Sequence, residues 1–299
     1  MKSLAELAPA GRDKAAAKVA RRVVARKVAR DQIAAHLGII AVVAVISFPL
    51  YYAFVISTQS MDQAISRPPL LLPSVHAVSN YVQAWVRADM GRLLLNSLVV
   101  AGATAAGKIV LSLLSAFAIV YFDFRLKGLV FWMIFVTLML PVPIRIVPTY
   151  QVISDLGWLN TYTGLTVPLI ASATGTFLLR QFFRTVPAEL AEAAQLDGAG
   201  PMRFFWSILL PNSVTNLAAL FVVLFISGWN EYLWPLMITT SAEMRVVVVG
   251  IQNLLPNTGT DLPEWNVVMA GAMMALLPPV LVVLGLQRWF VQGLLGPEK

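Results

Sequence analysis

A run of 30 residues between Asp31 and Asp62 contains no Asp, Glu, Lys or Arg. An α-helix needs about 20 mostly apolar residues to cross a bilayer, so we predict a first transmembrane helix near residues 34–57. Charged residues make up 12% of the whole chain, against about 25% in a soluble domain. That proportion is too low to cover a soluble globule, and it excludes an ordinary cytosolic enzyme and a disordered chain.

Five further apolar stretches are long enough to cross a membrane. We place them near residues 93–121, 128–147 and 161–179, between Arg203 and Glu231 (or Leu236), and between Glu264 and Arg288. Lys108 interrupts the second of the six spans, and Pro141 and Pro143 lie near the end of the third. The predicted fold class is therefore an all-α membrane protein with six transmembrane helices.

Basic residues are concentrated at the N-terminus. Residues 1–30 contain nine Lys or Arg and two acidic residues, whereas the rest of the chain has equal numbers of both signs. Cytoplasmic segments of membrane proteins are enriched in Lys and Arg, so the N-terminus is predicted to be cytoplasmic, and six spans return the C-terminus to the same side. We predict a basic cytoplasmic extension at 1–33, a transmembrane domain at 34–292 and a cytoplasmic tail at 293–299.

The composition of segment 14–30 favours a helix, because Ala, Lys and Arg have high helix propensity. One interpretation is a helix that lies on anionic membrane lipid; the other is a solvated extension that only fixes the orientation of the chain. Because the basic excess belongs to the N-terminus, it is no argument for a nucleic-acid partner. The chain has no Cys and two His, His36 and His76, so neither a disulfide framework nor a metal centre is expected.

Two long segments lie on the predicted outer side of the membrane. Within residues 58–92, which contain three prolines, we predict a short helix at 79–85 that is capped by Ser79 or Asn80. Residues 242–255 are apolar but too short to be assigned as a span.

The connection between the fourth and fifth spans has an unusual order of prolines and glycines. Pro187 suits the first turn of a helix, and Glu189 and Glu192 then lie near the positive N-terminal end of its dipole. Gly198 and Gly200 end this helix, and the following proline begins a second one. Alanines at several other positions keep the first helix thin, so it either fits a groove on a partner or packs as a connector on its own spans.

The sequence EAAQLDGAG at 192–200, followed by ILLP at 208–211, resembles the EAA loop of the permeases of type I ABC importers. In that family the loop, which corresponds here to about 184–207, carries a coupling helix that docks into a cleft on the ATPase subunit. The residues that fit the family pattern are Glu192, Ala193, Ala194, Gly198, Ile208, Leu210 and Pro211. The resemblance implies an ATPase-coupling site formed by Glu189, Glu192, Ala193, Ala194, Asp197, Gly198, Ala199 and Gly200.

Other strings resemble the carbohydrate-uptake branch of this family, and within it the second permease of sn-glycerol-3-phosphate importers. Examples are FWMIFVTLMLPVPIRIVPT at 131–149, GWNEYLWPL at 228–236 and QRWFVQGL at 287–294. This branch pairs two different permeases. The resemblance therefore implies a sister permease subunit, two ATPase subunits and an extracytoplasmic substrate-binding protein as partners, in the lipid of a bacterial plasma (inner) membrane.

The chain has no nucleotide-binding loop of the form GxxxxGK[ST]. Gly102 and Gly107 precede Lys108, but Ile109 stands where Ser or Thr is required. We therefore expect ATP and Mg²⁺ to be bound by the partner ATPase subunits and no cofactor in this chain, which is predicted to be a non-catalytic transport subunit.

Three ionisable residues, Lys108, Arg145 and Glu231, lie within predicted spans, where each charge costs about 2.5–3.5 kcal/mol. Lys108 and Arg145 are predicted to face the substrate pathway and attract a phosphate-bearing substrate, because Arg offers phosphate a bidentate fork and Lys a point charge. In the alternative interpretation, Arg145 extends to the outer membrane interface, and Lys108 pairs with Glu231 or caps a neighbouring carbonyl.

We also assign Trp229, Asn230, Glu231 and Trp234 to the substrate pathway, since aromatic rings and an amide suit a glycerol or sugar surface. The alternative for the aromatic residues is an interfacial belt. The predicted cargo is sn-glycerol 3-phosphate or a glycerophosphodiester, and the alternative is a neutral sugar or oligosaccharide. An ion-coupled secondary transporter is disfavoured, because it requires intramembrane carboxylates and only Glu231 qualifies.

Overall fold

A computed structural model of the chain describes residues 10–137, 142–256 and 262–295. The regular secondary structure in these ranges is helical throughout. The α-helices are α1 (Ala10–Ser57), α2 (Met61–Ala64), α3 (Ala77–Arg87), α4 (Met90–Tyr121), α5 (Lys127–Val136), α6 (Val142–Asp155), α7 (Tyr162–Thr166), α8 (Ala173–Phe183), α9 (Ala188–Leu196), α10 (Pro201–Phe204), α11 (Leu210–Trp229), α12 (Leu233–Ile238), α13 (Val247–Gly250) and α14 (Trp265–Leu295). Short 3₁₀ turns occupy Val167–Leu169, Ala242–Met244 and Ile251–Leu254, and a π-helical turn occupies Phe205–Leu209.

The chain divides into two compact units, Met1–Val55 and Ile56–Lys299. The described residues of the first unit all belong to α1, a continuous helix that contains both the basic segment 14–30 and the first predicted span. The helical state predicted for the basic segment is therefore confirmed. Residues 1–9 of the predicted extension lie outside the described residues.

Four helical stretches are long and apolar enough to cross a membrane, namely Gln32–Ser57, Met90–Tyr121, Pro201–Trp229 and Trp265–Trp289. A fifth candidate is a bent pair, because Tyr162–Leu169 and Ala173–Phe183 meet at an angle of 48°. These five correspond to the first, second, fifth, sixth and fourth predicted spans, although the fourth was expected to be a single helix.

The third predicted span, near 128–147, contains residues 138–141, which lie outside the described residues. Its first part is α5, and α6 begins at Val142. The number of six spans therefore stays a prediction. The predicted C-terminal tail at 293–299 also lies outside the described residues beyond Leu295.

The helix α4 is the centre of the second unit. It packs against α8 on one side and against α11 on another, and α11 packs in turn against α14. Alanines and other apolar side chains of α4 are buried in the resulting core, together with phenylalanines from the segment that leads into α11. This arrangement places the EAA-like segment and Lys108 of α4 on one continuous packed body.

The short helix α3 begins earlier than predicted. Ala77 is its first residue, and His76 is the N-cap without a side-chain hydrogen bond, so the predicted cap at Ser79 or Asn80 is wrong. Asn80 is buried inside the helix, where its Nδ2 donates to the carbonyl oxygens of Ser57 at 2.9 Å and Gln59 at 2.7 Å. These tertiary acceptors satisfy the buried amide, so it does not serve as a cap.

A second buried amide fixes the segment 239–246 to α4. Asn96 Nδ2 donates to the carbonyl oxygens of Glu243 at 2.8 Å and Arg245 at 2.9 Å, and its Oδ1 accepts from the Tyr162 hydroxyl at 2.6 Å. The residues that follow, up to Leu254, form only single helical turns. This confirms that 242–255 is too short to span.

Candidate functional site

The EAA-like segment folds as a short helix that ends in a glycine turn. Pro187 is the N-cap of α9, and after the helix Gly198 has a φ of +73°, which is the left-handed region that favours glycine. The Gly198 N–H donates to the Gln195 carbonyl at 3.0 Å, and the Ala199 N–H donates to the Ala194 carbonyl at 2.8 Å. These two bonds form a complete Schellman motif, and the predicted role of Gly198 in ending the helix is confirmed.

The two faces of α9 have different environments. Ala194 is 4% exposed and belongs to the core, and Ala191 and Ala199 pack against that core. On the opposite face Glu189, Glu192, Ala193 and Leu196 are exposed, at the spacing of three and four residues that places side chains on one side of a helix. We call these four residues the exposed face of α9. Asp197 and Gly200 are exposed beside it.

Leu196 is an exposed residue of α9 that was not among the predicted site residues. It is 90% exposed. Met202 and Trp206, which follow the glycine turn, are 55% and 62% exposed. The signal in the sequence was the alanine pattern itself, because Ala191 and Ala194 mark the packed side and leave Leu196 on the other.

Aromatic contacts attach the segment after the turn to the end of α4. The ring of Phe205 lies 4.9 Å from the ring of Phe117, and the ring of Phe204 lies 5.1 Å from that of Tyr121, between ring centroids. Phe204 and Phe205 are both buried. These contacts join the segment that follows α9 to α4, and the π-helical turn continues that segment into α11.

A second feature is a cavity of about 550 Å³ where α4 lies beside α5, α6 and the start of α8. Its volume falls in the range of about 300–1,000 Å³ that is typical of small-molecule sites. The polar residues that line it are Lys108, Ser115, Thr137, Arg145, Ser172, Thr174 and Thr176. The structure thus brings together Lys108 and Arg145, the two cations that were predicted to face the substrate pathway.

Close contact between α4 and α8 forms one wall of this cavity. A Cβ at Gly175 of α8 would lie 2.5 Å from the Ser112 Oγ of α4, so any larger residue would have to displace that hydroxyl. The Ser112 Oγ donates to the Ser172 carbonyl at 3.3 Å, and the Ser172 Oγ caps α8 by accepting from the Gly175 N–H at 3.1 Å. These contacts fix the start of α8 beside the middle of α4.

Neither cation of the cavity has a carboxylate within 4.0 Å among the described residues. Lys108 is half-buried, and Arg145 is exposed toward the cavity it lines. Glu231, just beyond the end of α11, interacts electrostatically with Lys108 without forming such a contact. In the described part of the chain no group of three or more His, Asp or Glu side chains converges to hold a metal ion.

The other predicted pathway residues lie apart from this cavity. Trp229 is buried in the main core beside Phe225, and Trp234 is buried in a second apolar cluster, where its Nε1 donates to the Gly164 carbonyl at 3.1 Å. Asn230 is exposed, and its Nδ2 donates to the Ile226 carbonyl at 3.0 Å. Contact of these residues with substrate stays a prediction. In the structure, the indoles of Trp229 and Trp234 pack in apolar clusters.

Comparisons with known proteins agree with these observations. The family described as "Binding-protein-dependent transport system inner membrane component" matches residues 108–296. The chain is 53% identical over 271 residues to the sn-glycerol-3-phosphate transport system permease protein UgpE of Brucella melitensis, covering 88% of this chain and 96% of that protein. It is 52% identical over 281 residues to the protein of the same name from Agrobacterium fabrum, covering 92% and 99%.

Among solved structures, the chain resembles a subunit of a bacterial ABC transporter involved in the import of the acidic polysaccharide alginate. The TM-score is 0.76 at 21% identity, and the match covers 89% of this chain and 98% of that one. This likeness confirms the predicted all-α permease fold. From the family match and the relatives that are more than half identical, the chain belongs to the binding-protein-dependent transport system inner membrane components.

Proposed function

We propose that this chain is the transmembrane permease subunit of an ATP-driven importer whose cargo is sn-glycerol 3-phosphate or a glycerophosphodiester. The relatives that support this cargo are named as sn-glycerol-3-phosphate transport permeases, and they align with nearly their whole length. Two cations with no carboxylate partner within 4.0 Å in the described residues, facing one cavity, suit an anionic cargo better than a neutral sugar.

The observation that best supports the proposed transport mechanism is the exposed face of α9. On α9, Ala191 and Ala194 pack inward, and Leu196 is 90% exposed. The helix therefore has an unsatisfied apolar surface, flanked by the carboxylates of Glu189 and Glu192. This surface fits a cleft on an ATPase subunit. The proposed assembly contains this permease, a sister permease, two ATPase subunits that bind ATP and Mg²⁺, and an extracytoplasmic substrate-binding protein.

In this assembly, closure of the ATPase dimer moves α9, and the aromatic contacts of Phe204 and Phe205 pass the movement to α4. The permeases then alternate between outward-facing and inward-facing states, and the chain itself catalyses no covalent step. The orientation that goes with this mechanism places α9 and both termini in the cytoplasm of a bacterial cell, with the spans in the plasma (inner) membrane.

The test is the ATPase rate of the assembled complex in nanodiscs, measured with its binding protein and with glycerol 3-phosphate, glycerophosphocholine or maltose. We expect stimulation by the phosphoglycerol compounds and none by maltose. Stimulation by maltose alone would retain the transport mechanism and overturn the cargo. A chain that copurifies with no ATPase subunit would overturn the mechanism as well.

A further inference from the structure

The cavity beside Lys108 has the chemistry of an anion site. Ser115 and Thr174 line it, and neither hydroxyl forms a hydrogen bond to another described residue. The cavity therefore presents two free hydroxyl donors as well as the ammonium of Lys108 and the guanidinium of Arg145. Phosphate oxygens accept hydrogen bonds from all four of these groups, most strongly from the two charged ones.

The N-terminus of α8 adds positive electrostatic potential to the same cavity. Ala173 and Thr174 are the first two residues of an 11-residue helix and line the cavity, so their N–H groups have no acceptor within the helix. The Ser172 side chain caps the Gly175 N–H and not these two. The break between Leu169 and Ala173 thus directs a helix N-terminus into the cavity, an arrangement that favours negative charge.

The position of Lys108 also requires an explanation. It lies near the middle of the 32-residue helix α4, where a charge is costly in a membrane. No carboxylate among the described residues lies within 4.0 Å of its ammonium, and Glu231 interacts with it only over a longer distance. A purely structural lysine at this depth would be expected to form a close pair, so its free donors point to a mobile anionic partner.

We propose that this cavity binds the phosphate ester group of the cargo during its passage through the permease. The inference rests on the proposed function and adds the site and its donors. Lys108 and Arg145 hold the phosphate oxygens, and Ser115, Thr174 and the α8 N-terminus complete the shell.

The experiment uses the full complex with its binding protein in nanodiscs of phosphatidylcholine, trapped with ATP and vanadate. The quantity measured is the radiolabelled glycerol 3-phosphate that each complex retains, as a function of concentration. We expect Lys108→Met and Arg145→Gln each to raise the half-saturating concentration by at least about tenfold, because each removes a charge-assisted hydrogen bond.

Two further variants keep the test specific. Lys127→Met removes a lysine that does not line the cavity, and retention by this control should equal that of the wild type. Lys108→Arg keeps the charge and should retain most of the affinity, which separates loss of binding from loss of folding. Unchanged retention in both Lys108→Met and Arg145→Gln would overturn the site, as would a loss in Lys127→Met of equal size.

Failure of the proposed function gives a different result. A wild-type complex that retains and transports no phosphoglycerol compound contradicts the cargo before any variant is compared. The source of the phosphate group is tested by adding phosphatidylglycerol to the nanodiscs. If the variants differ from the wild type only when that lipid is present, the cavity holds a lipid headgroup and the assignment to the cargo is overturned.

Discussion

Leu196→Ala should weaken the attachment of the ATPase subunit to this permease by about 30-fold without changing the fold. The substitution removes three carbon atoms, and each buried CH₂ contributes about 0.8 kcal/mol to association. Since 90% of the leucine is exposed before docking, nearly all of that surface remains to be buried by the partner. The expected loss is about 2 kcal/mol, which corresponds to about 30-fold in the dissociation constant.

The assay reconstitutes the two permeases in nanodiscs and titrates them with a fluorescently labelled ATPase subunit. The matched control is Leu72→Ala, because Leu72 is 77% exposed in the loop between α2 and α3 and is predicted to lie on the opposite side of the membrane. The control should bind the ATPase subunit like the wild type. Both variants should assemble normally, since removal of an exposed side chain leaves the packed core unchanged.

A change of less than about threefold in the dissociation constant for Leu196→Ala, with normal assembly, would refute the argument. It would mean that the exposed face of α9 remains in solvent or lipid in the working complex. An equal loss of affinity in Leu72→Ala would also refute it, because the effect would then be independent of position.

Three further substitutions test single contacts. Gly198→Ala places a Cβ on a residue with φ of +73°, at a cost of about 1–2 kcal/mol. It should therefore lower cargo-stimulated ATPase activity. The control Gly200→Ala should not, because Gly200 has a φ of −68° and open space around it. Gly175→Ala brings a Cβ to 2.5 Å from the Ser112 Oγ. We expect the free energy of unfolding to fall by about 1–3 kcal/mol, which would lower the Tm of the purified complex. An unchanged Tm would contradict the packing of α4 on α8. Asn96→Ala leaves two carbonyl oxygens and a hydroxyl without their partner, at a cost of about 1–3 kcal/mol for each group left buried. Proteolysis within 239–246 should therefore accelerate. An unchanged rate of proteolysis would contradict the attachment of that segment to α4.

Local signals were sufficient to predict the EAA-like segment. Pro187, Gly198 and Gly200 act on their own backbone, so their effect on where α9 begins and ends is readable from the order of residues. The same holds for the long spans, because a bilayer requires length and apolarity and both are visible in the sequence. The fourth span was placed from its lack of charged residues, and no charge marks the bend between Tyr162–Leu169 and Ala173–Phe183. The bend was therefore not predicted.

Tertiary contacts could not be predicted in the same way. Lys108 and Arg145 are 37 positions apart in the sequence, and nothing in either segment shows that they line one cavity. The packing of Trp229 and Trp234 depends on which neighbours surround α11 and α12, so their apolar rings were equally consistent with a pathway or a core. The predicted cap of α3 was wrong because it also depends on tertiary contacts: the acceptors of the Asn80 amide come from a separate segment.

The unbroken course of α4 has a mechanical consequence. A helix of 32 residues is about 48 Å long, and this one carries the Asn96 contacts near one end and the Phe117 and Tyr121 contacts at the other, with Lys108 between them. If α4 pivots as a stiff rod about Lys108, a tilt of only about 3° displaces its ends by about 1 Å in opposite directions. In the proposed mechanism, a small displacement at the Phe117 end of α4 would therefore loosen or tighten the segment 239–246 at the other end, while Lys108 would hardly move.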